Sequence, residues 1–146
     1  MTHDEIRTFV DGYVKAWEHQ DIDALVECYT EDAEIISPMY HQVKGKAAIE
    51  ASLESLFHAF GDFSFEIHDV IIDTEDRPRV ALVLTSHNTH RGEVFGVKGT
   101  GRQIETQVVF VLHLADGRIA FERRMYDFTL MLVQLGVLKA KGMTPV

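Results

Sequence analysis

Apolar residues recur at helical spacing near the start of the chain. The stripe consists of Ile6, Phe9, Val10, Tyr13, Val14 and Trp17. Residues three and four apart share one face of a helix, so the pattern predicts an amphipathic helix. Thr2 and Glu5 have the spacing of a capping box that would start it.

Two further helices and a short strand are predicted before residue 62. The second helix follows Asp21 and has Ile22, Leu25, Val26 and Tyr29 on its inner face. The segment "AEIISP" predicts a strand that Pro38 ends. Gly45 would then open a third helix, and Gly61 would stop it.

From Phe63 onward the pattern becomes that of strands, over residues 63–73, 79–90, 103–113 and 118–127. Asp116-Gly117 between the last two is a strong signal for a tight hairpin. A short apolar helix follows from Phe128 and ends near Gly136. Helices followed by a four-stranded antiparallel meander predict one α+β domain over residues 1–146.

The hairpin sets a predicted register for the last two strands. A two-residue turn at Asp116-Gly117 would place Thr106 opposite Asp127. The inner face would then hold Val108, Phe110, Leu112, Ile119, Phe121, Arg123 and Met125. The outer face would hold Gln107, Val109, Val111, His113, Glu122, Arg124 and Tyr126. This register predicts that Tyr13, Phe110, Met125 and Asp127 line one cavity and that His113 lies outside it.

Asp127 is the first candidate for chemistry, since a carboxylate that ends an apolar strand face is unfavourable unless it is paired or used. It would suit an acid/base residue. The alternative is that Asp127 only caps the helix that begins at Phe128. Arg123, on the same predicted face, would either pair with Asp127 or contact a substrate.

His90 is the second candidate, because its strand face is apolar at Val80 and becomes polar through Ser86 and Asn88. This gradient is typical of a pocket wall, where His90 could polarise a substrate carbonyl. A solvated histidine at a strand end would fit as well. His87 would point to the opposite face, so the two histidines cannot chelate a metal together. We therefore expect no metal site.

The segment "THRGEVFGVKGTGRQ", residues 89–103, is rich in glycine and basic residues. It lacks the Lys-Ser/Thr pair of a nucleotide-binding loop, and no helical pattern follows it. Tight turns between antiparallel strands are the simpler interpretation.

Composition narrows the class of partner. A net charge of −9 argues against a nucleic acid or an anionic membrane as partner. The one cysteine, Cys28, suits a reducing compartment and is expected to be a small buried hydrophobe. No secretory signal or membrane-spanning run is evident, so the expected location is the cytoplasm.

Two helical segments, "FVDGYVKAWEHQDIDALVECYTEDAEIISP" and "GKAAIEASLESLFHAF", resemble the nuclear-transport-factor-2-like superfamily. The segments "THRGEVFGVKGTGRQIE" and "DGRIAFERRMYDFTLMLVQLGVL" are similar to its SnoaL-like polyketide cyclase branch. The resemblance implies a curved antiparallel sheet that the N-terminal helices wrap into a cone, with a deep apolar pocket. It also implies a homodimer paired through the sheets, and we place that contact on the face holding Val109, Val111 and Tyr126.

In that branch a late Asp is the acid/base residue of an intramolecular aldol closure that needs no metal or cofactor, and it matches Asp127. The branch's Thr-His pair matches Thr89-His90. The chain departs from the branch at Arg123, where a Trp is common, and at Gly99, where a Pro is usual. Arg123 in place of an aromatic residue would favour a substrate with an anionic or strongly polar group.

A ketosteroid isomerase belongs to the same superfamily, and Tyr13 falls where that enzyme keeps its oxyanion-hole tyrosine. Ser37, however, takes the place of its general base, which argues against its reaction.

Three functions stay open. The first is acid/base proton transfer, an aldol-type cyclisation or related isomerisation, on a small apolar or polyketide-like carbonyl compound. The second is ligand binding without catalysis, and the third is a hydratase or hydrolase such as an epoxide hydrolase. In the catalytic functions, Asp127 and His90 are the candidate catalytic residues. The candidate substrate-binding residues are Tyr13, Trp17, Phe110, Arg123 and Met125.

Overall fold

The computed structural model describes residues 1–139. Its helices are α1 (His3–Glu18), α2 (Ile22–Glu27), α3 (Lys46–Ala59) and α4 (Phe128–Leu135). Its strands are β1 (Tyr29–Ser37), β2 (His41–Lys44), β3 (Phe60–Asp73), β4 (Arg79–His90), β5 (Gln103–Ala115) and β6 (Arg118–Tyr126). No helix within this part of the chain is both long and apolar enough to cross a membrane.

The predicted helix boundaries are largely confirmed. The Thr2–Glu5 capping box starts α1, and the Asp21 side chain accepts the Ala24 N–H at the start of α2. The predicted extent of α2 was too long, because it ends at Glu27 and Tyr29 begins β1. Gly61 does not stop α3, since Phe60 already leads directly into β3.

One six-stranded sheet has the order β2-β1-β6-β5-β4-β3. The predicted antiparallel meander β3–β6 is confirmed, whereas β1 pairs in parallel with β6 and makes the sheet mixed. Register shifts interrupt β3, and such bulges bend a strand. The helices pack against a curved, unclosed sheet, which confirms the predicted α+β class.

The register predicted for β5 and β6 was wrong by one residue. The two-residue turn itself is confirmed, with Ala115 opposite Arg118 and Leu114 opposite Ile119. The next pair is His113 with Phe121, so Ala120 is an extra residue in β6. A bulge reverses the faces of all later residues of its strand. The buried residues of β6 are therefore Ile119, Glu122 and Arg124, whereas Arg123 and Met125 are exposed.

Most of the core lies between the inner face of the sheet and the helices α1 and α3. Ile6, Val10 and Tyr13 of α1 are buried against Leu82 of β4 and Phe110 of β5 in one hydrophobic cluster. A smaller cluster packs Met131 and Leu135 of α4 against Phe60 and Ile104. The α-helices therefore cover one face of the sheet and leave an open cavity over its inner surface.

Side-chain contacts hold α4 in place at one end of this space. The backbone N–H of Glu105 donates to Gln134 Oε1 at 2.9 Å, and Gln134 Nε2 donates to the Glu105 carbonyl oxygen at 2.8 Å. Gly136 ends the helix with φ of 83°, a conformation that favours glycine. The sequence prediction of an end near Gly136 is thus confirmed.

The glycine-rich segment before β5 is held close to the chain that leaves β4. A Cβ atom on Gly99 would lie 1.9 Å from the Arg91 carbonyl oxygen. Close backbone approach therefore explains why position 99 holds a glycine.

We expect Gly99→Ala to lower the free energy of unfolding by more than about 1 kcal/mol, since the backbone must shift to remove the clash. Gly12→Ala is the matched control, because Gly12 is an exposed residue within α1 and a Cβ atom added there would meet no atom within 4 Å. It should raise the free energy of unfolding by roughly 0.5–1 kcal/mol through helix propensity. Urea denaturation of both variants tests this, and equal effects would contradict the close approach.

Candidate functional site

A cavity of about 570 Å³, including its solvent-filled mouth, lies over the inner face of the sheet. Aromatic residues form much of its wall: Trp17, Phe60, Phe63, Phe65, Phe110 and Tyr126. Trp17 of α1 stands at the centre of this group, with ring contacts to Phe57, Phe63, Phe65 and Phe110. An apolar, largely aromatic wall with a few polar side chains is typical of a small-molecule site.

Polar atoms without hydrogen-bond partners concentrate in the same wall. Trp17 Nε1, Asn88 Oδ1, Thr106 Oγ1 and Arg124 Nη2 are buried and unpaired within residues 1–139. All four residues line the cavity. Buried polar groups are normally satisfied, so this concentration of unpaired donors and acceptors indicates a place for a polar ligand group.

Arg124 carries the charge of the cavity wall. Its guanidinium lies over the Trp17 ring, with Cζ 5.0 Å from the centroid, and over Phe110 at 5.8 Å. Its Nε donates to Glu122 Oε2 at 2.6 Å. The two residues stand two positions apart on the inner face of β6, where alternate side chains share a face. This pair fixes the guanidinium, and Nη2 is left without a partner within residues 1–139.

Two tyrosines hold the other oxygen of Glu122. The hydroxyls of Tyr13 and Tyr29 donate to Glu122 Oε1 at 2.6 Å and 2.8 Å. All three residues are fully buried. Burial, followed by the charge of Glu122, raises the pKa of both phenols well above 10.0, so both remain protonated donors.

The charge of Arg124 is stabilised by its surroundings. Burial alone lowers the pKa of the guanidinium, but the Glu122 carboxylate and the two tyrosines outweigh it and raise the pKa. The site is thus a permanent cation on an aromatic wall, with its counter-ion held behind it.

Of the five predicted substrate-binding residues, two line the cavity. Trp17 and Phe110 are in its wall, and Tyr13 lies one layer behind, bonded to Glu122. Arg123 and Met125 do not line it, because the bulge at Ala120 turns them to the outer face. Met125 is 58% exposed, and Arg123 stacks on Phe121. The expectation of one cavity shared by Tyr13, Phe110, Met125 and Asp127 was therefore wrong.

Asp127 caps α4. Its carboxylate accepts the Leu130 N–H at 2.9 Å, and the residue is exposed. The carboxylate lacks the apolar surroundings that the sequence predicted. The reason is that β6 ends at Tyr126 and the bulge at Ala120 has reversed the faces of the residues that follow it. Capping is the role that the geometry shows, and a catalytic role for Asp127 stays a prediction.

His90 is buried at the end of β4, under the glycine-rich segment. Its Nδ1 lies 3.0 Å from Thr100 Oγ1 and accepts the Thr100 N–H at 3.3 Å. Its Nε2 is buried without a partner in the described chain. The predicted inner face of β4, with Ser86 and Asn88 in the cavity wall, is confirmed, whereas His90 lies outside that wall. Its catalytic role stays a prediction.

Glu122, Arg124 and Tyr29 belong to the site but were not predicted as site residues. Residues 122, 123 and 124 are all charged, so either face of β6 had to carry a charge, but Phe121 and Met125 share the face of Arg123 and favoured the burial of that face. No residue type in "GRIAFER" marks a bulge.

The sequence profile of the SnoaL-like polyketide cyclases matches residues 7–135, which include every residue of the cavity wall. The chain belongs to that family. No curated protein matches its sequence.

Several solved structures are similar to this chain, and they include a proposed polyketide cyclase. AclR of Streptomyces galilaeus, a proposed hydroxylase, is 27% identical in sequence and superposes with a TM-score of 0.81. The match covers 97% of this chain and 87% of AclR. IdmH of Streptomyces antibioticus, a proposed polyketide cyclase, is 25% identical with a TM-score of 0.72. The match covers 89% of this chain and 97% of IdmH. An LEH-like epoxide hydrolase of M. tuberculosis shares the fold at 19% identity and a TM-score of 0.71. The match covers 92% of this chain and 91% of the hydrolase.

The raised pKa of Tyr29 predicts a pH dependence of stability. The unfolded chain loses its tyrosine protons from about pH 10, before the folded chain does, so this contribution is present below pH 10 and is lost above it. The free energy of unfolding should fall by about 1.4 kcal/mol per pH unit for each such tyrosine.

Urea denaturation between pH 9 and pH 11 would measure this slope. Tyr29→Phe should have a shallower slope than the wild type, whereas Tyr40→Phe, which removes a phenol from the cavity wall, should keep the wild-type slope. Identical slopes for all three proteins would contradict the buried network.

Proposed function

We propose that this family member binds a small aromatic or polyketide-like carbonyl compound in the cavity and catalyses acid/base proton transfer on it. The reaction class is an aldol-type cyclisation or a related isomerisation. The observation that supports this most is Arg124, whose buried Nη2 lacks a partner within residues 1–139 and stands in an otherwise largely aromatic wall.

Arg124 suits the stabilisation of a developing enolate. Proton removal next to a carbonyl places negative charge on its oxygen, and a fixed donor in a dry site stabilises that charge more than water does. Glu122 already orients the guanidinium, so little reorganisation is needed when the charge forms. In this proposal Arg124 has the polarising role that was expected of His90.

The proton acceptor must come from outside the cavity wall, because no carboxylate or imidazole of residues 1–139 lines the cavity. Glu122 lies behind Arg124, and its oxygens already accept three hydrogen bonds. Asp127 directly follows Tyr126, which lines the cavity, and it matches the late Asp of the cyclases. We propose Asp127 as the acid/base residue at the mouth.

The lack of a lining base among residues 1–139 favours a second candidate, a ligand-binding protein without catalysis, in which Arg124 would only hold the ligand. An epoxide hydrolase or hydratase would also have to rely on Asp127, to orient a water molecule, and no observation of the structure favours it.

A screen of aromatic β-dicarbonyl and polyketide-like compounds would identify the ligand and the substrate. Binding can be followed by the fluorescence of Trp17, which is the single tryptophan of the chain and stands in the cavity wall. Binding without turnover across such a screen would favour the second candidate.

Arg124→Lys should lower turnover by about 100-fold, because Lys keeps a charge near Glu122 but lacks the planar fork of donors. Arg123→Lys is the matched control, since Arg123 lies on the outer face, and it should keep wild-type rates. Steady-state kinetics on the identified substrate tests both, and equal losses would contradict the assignment of Arg124.

Asp127→Asn should lower turnover by about 10²–10⁴-fold while the ligand still binds, if the carboxylate moves the proton. Asparagine also caps helices well, so folding should be retained. A near-wild-type rate would show that Asp127 is only a cap.

We also propose a homodimer paired through the outer face of the sheet. The face expected from the sequence included Tyr126, but Tyr126 lines the cavity, and Phe121 and Met125 stand on the outer face instead, with Val109 and Val111 beside them. Met125 is exposed and the other three are partly exposed, and apolar side chains on an open sheet face suit a self-complementary contact. The cytoplasm stays the predicted location.

Light scattering at micromolar concentration should give the mass of a dimer. Met125→Glu should shift it toward a monomer, whereas Leu130→Glu, which changes a residue of α4 that is 50% exposed, should not. A monomeric wild type would contradict the pairing.

A further inference from the structure

The cavity holds a cation whose charge is already balanced. Arg124 is the one charged residue that lines the cavity within residues 1–139, and Glu122 neutralises it from behind. We infer that Glu122 sets the charge of the accepted ligand: it makes Arg124 select a neutral hydrogen-bond acceptor over an anion. The inference rests on the proposed function, in which the ligand's oxygen meets Arg124.

Because Glu122 and Arg124 are buried, their charges strongly affect the binding of a charged ligand. Glu122 has no exposed surface and Arg124 is 7% exposed, so water screens their charges poorly. The Glu122 carboxylate is held by three donors, Tyr13, Tyr29 and Arg124. It therefore cannot turn away when a ligand arrives.

The ligand's charge then decides the energy of binding. A neutral carbonyl oxygen gains the Nη2 hydrogen bond and leaves the buried cluster at zero net charge. A carboxylate gains a similar bond but adds a second negative charge to the same guanidinium, within a wall to which residues 1–139 give no other cation. A buried, unbalanced charge is unfavourable, so the neutral acceptor binds more tightly. The enolate of the proposed reaction differs from a bound carboxylate, because the base that takes the proton loses its own negative charge and the total charge of the site does not change.

Of the other unpaired polar atoms of the wall, Trp17 Nε1 only donates and would serve a neutral or an anionic oxygen alike, whereas Asn88 Oδ1 distinguishes the two. Asn88 Oδ1 accepts hydrogen bonds only, and Thr106 Oγ1 accepts or donates one. A carboxylate cannot donate to Asn88 Oδ1, whereas an amide or an enol can. This contact favours the same ligand class as the charge balance.

The test compares 2-naphthamide with 2-naphthoate, which have nearly the same shape and differ in charge at pH 7. Isothermal calorimetry on the wild type should show tighter binding of the amide by at least about tenfold. In Glu122→Gln the charge of Arg124 is unbalanced, so the preference should reverse and naphthoate should bind more tightly. If Glu122 had a merely structural role, its replacement would weaken the binding of both compounds alike.

Glu54→Gln is the matched control, because it removes the same charge from an exposed position on α3. It should keep the wild-type ratio. Glu122→Gln breaks a buried ion pair and is expected to be destabilised. Should it fail to fold, the wild-type ratio decides by itself, since equal or tighter binding of naphthoate overturns the inference.

The outcomes separate the two proposals. If naphthoate binds as tightly as naphthamide, the charge selection fails while the cavity remains a ligand site. If neither compound binds, the proposed function fails and the inference falls with it. A ratio that Glu122→Gln leaves unchanged in a folded protein also overturns the role of Glu122.

Discussion

A buried ion pair between Glu122 and Arg124 constrains this molecule more than any other contact. Two charges removed from water are tolerated only when their remaining hydrogen-bonding groups are satisfied. The structure meets most of this requirement with Tyr13 from α1 and Tyr29 from β1. The pair therefore ties the first helix, the first strand and the last strand to one point on the inner face of the sheet. The pair leaves Arg124 Nη2 without a partner within residues 1–139, and this is the group that we propose contacts the ligand.

A single extra residue in β6 determines whether this arrangement exists. Without the bulge at Ala120, Arg123 and Met125 would be on the inner face, and Glu122 and Arg124 would be on the outer one. The same bulge gives the outer face its apolar residues Phe121 and Met125. The chemistry of the cavity and the proposed dimer surface thus depend on one feature of the hairpin.

Much of the fold could be predicted from local signals, but the site could not. The capping box at Thr2, the hairpin at Asp116-Gly117 and the αL glycine at Gly136 each act over a few residues, and the structure confirms them. The parallel pairing of β1 with β6 is non-local and leaves no mark in the local pattern. Trp17 and Phe110 were found from their apolar periodicity, which a bulge in β6 does not affect.

Glu122 and Arg124 were missed because the faces of a strand alternate with every residue. In regular alternation the hydrophobic residues Phe121 and Met125 favour the face of Arg123, and Ala120 carries no turn or bulge signal. The similarity to the cyclases also directed attention to Asp127, whose exposed capping position is evident only in three dimensions.

A crystal structure with 2-naphthamide bound would report both the register of β6 and the group that contacts the ligand. We expect an extra residue at Ala120 and an amide oxygen about 2.7–3.2 Å from Arg124 Nη2, with Glu122 on the far side of the guanidinium. A ligand that contacts Arg123 or Met125, with Arg124 directed to solvent, would contradict this expectation.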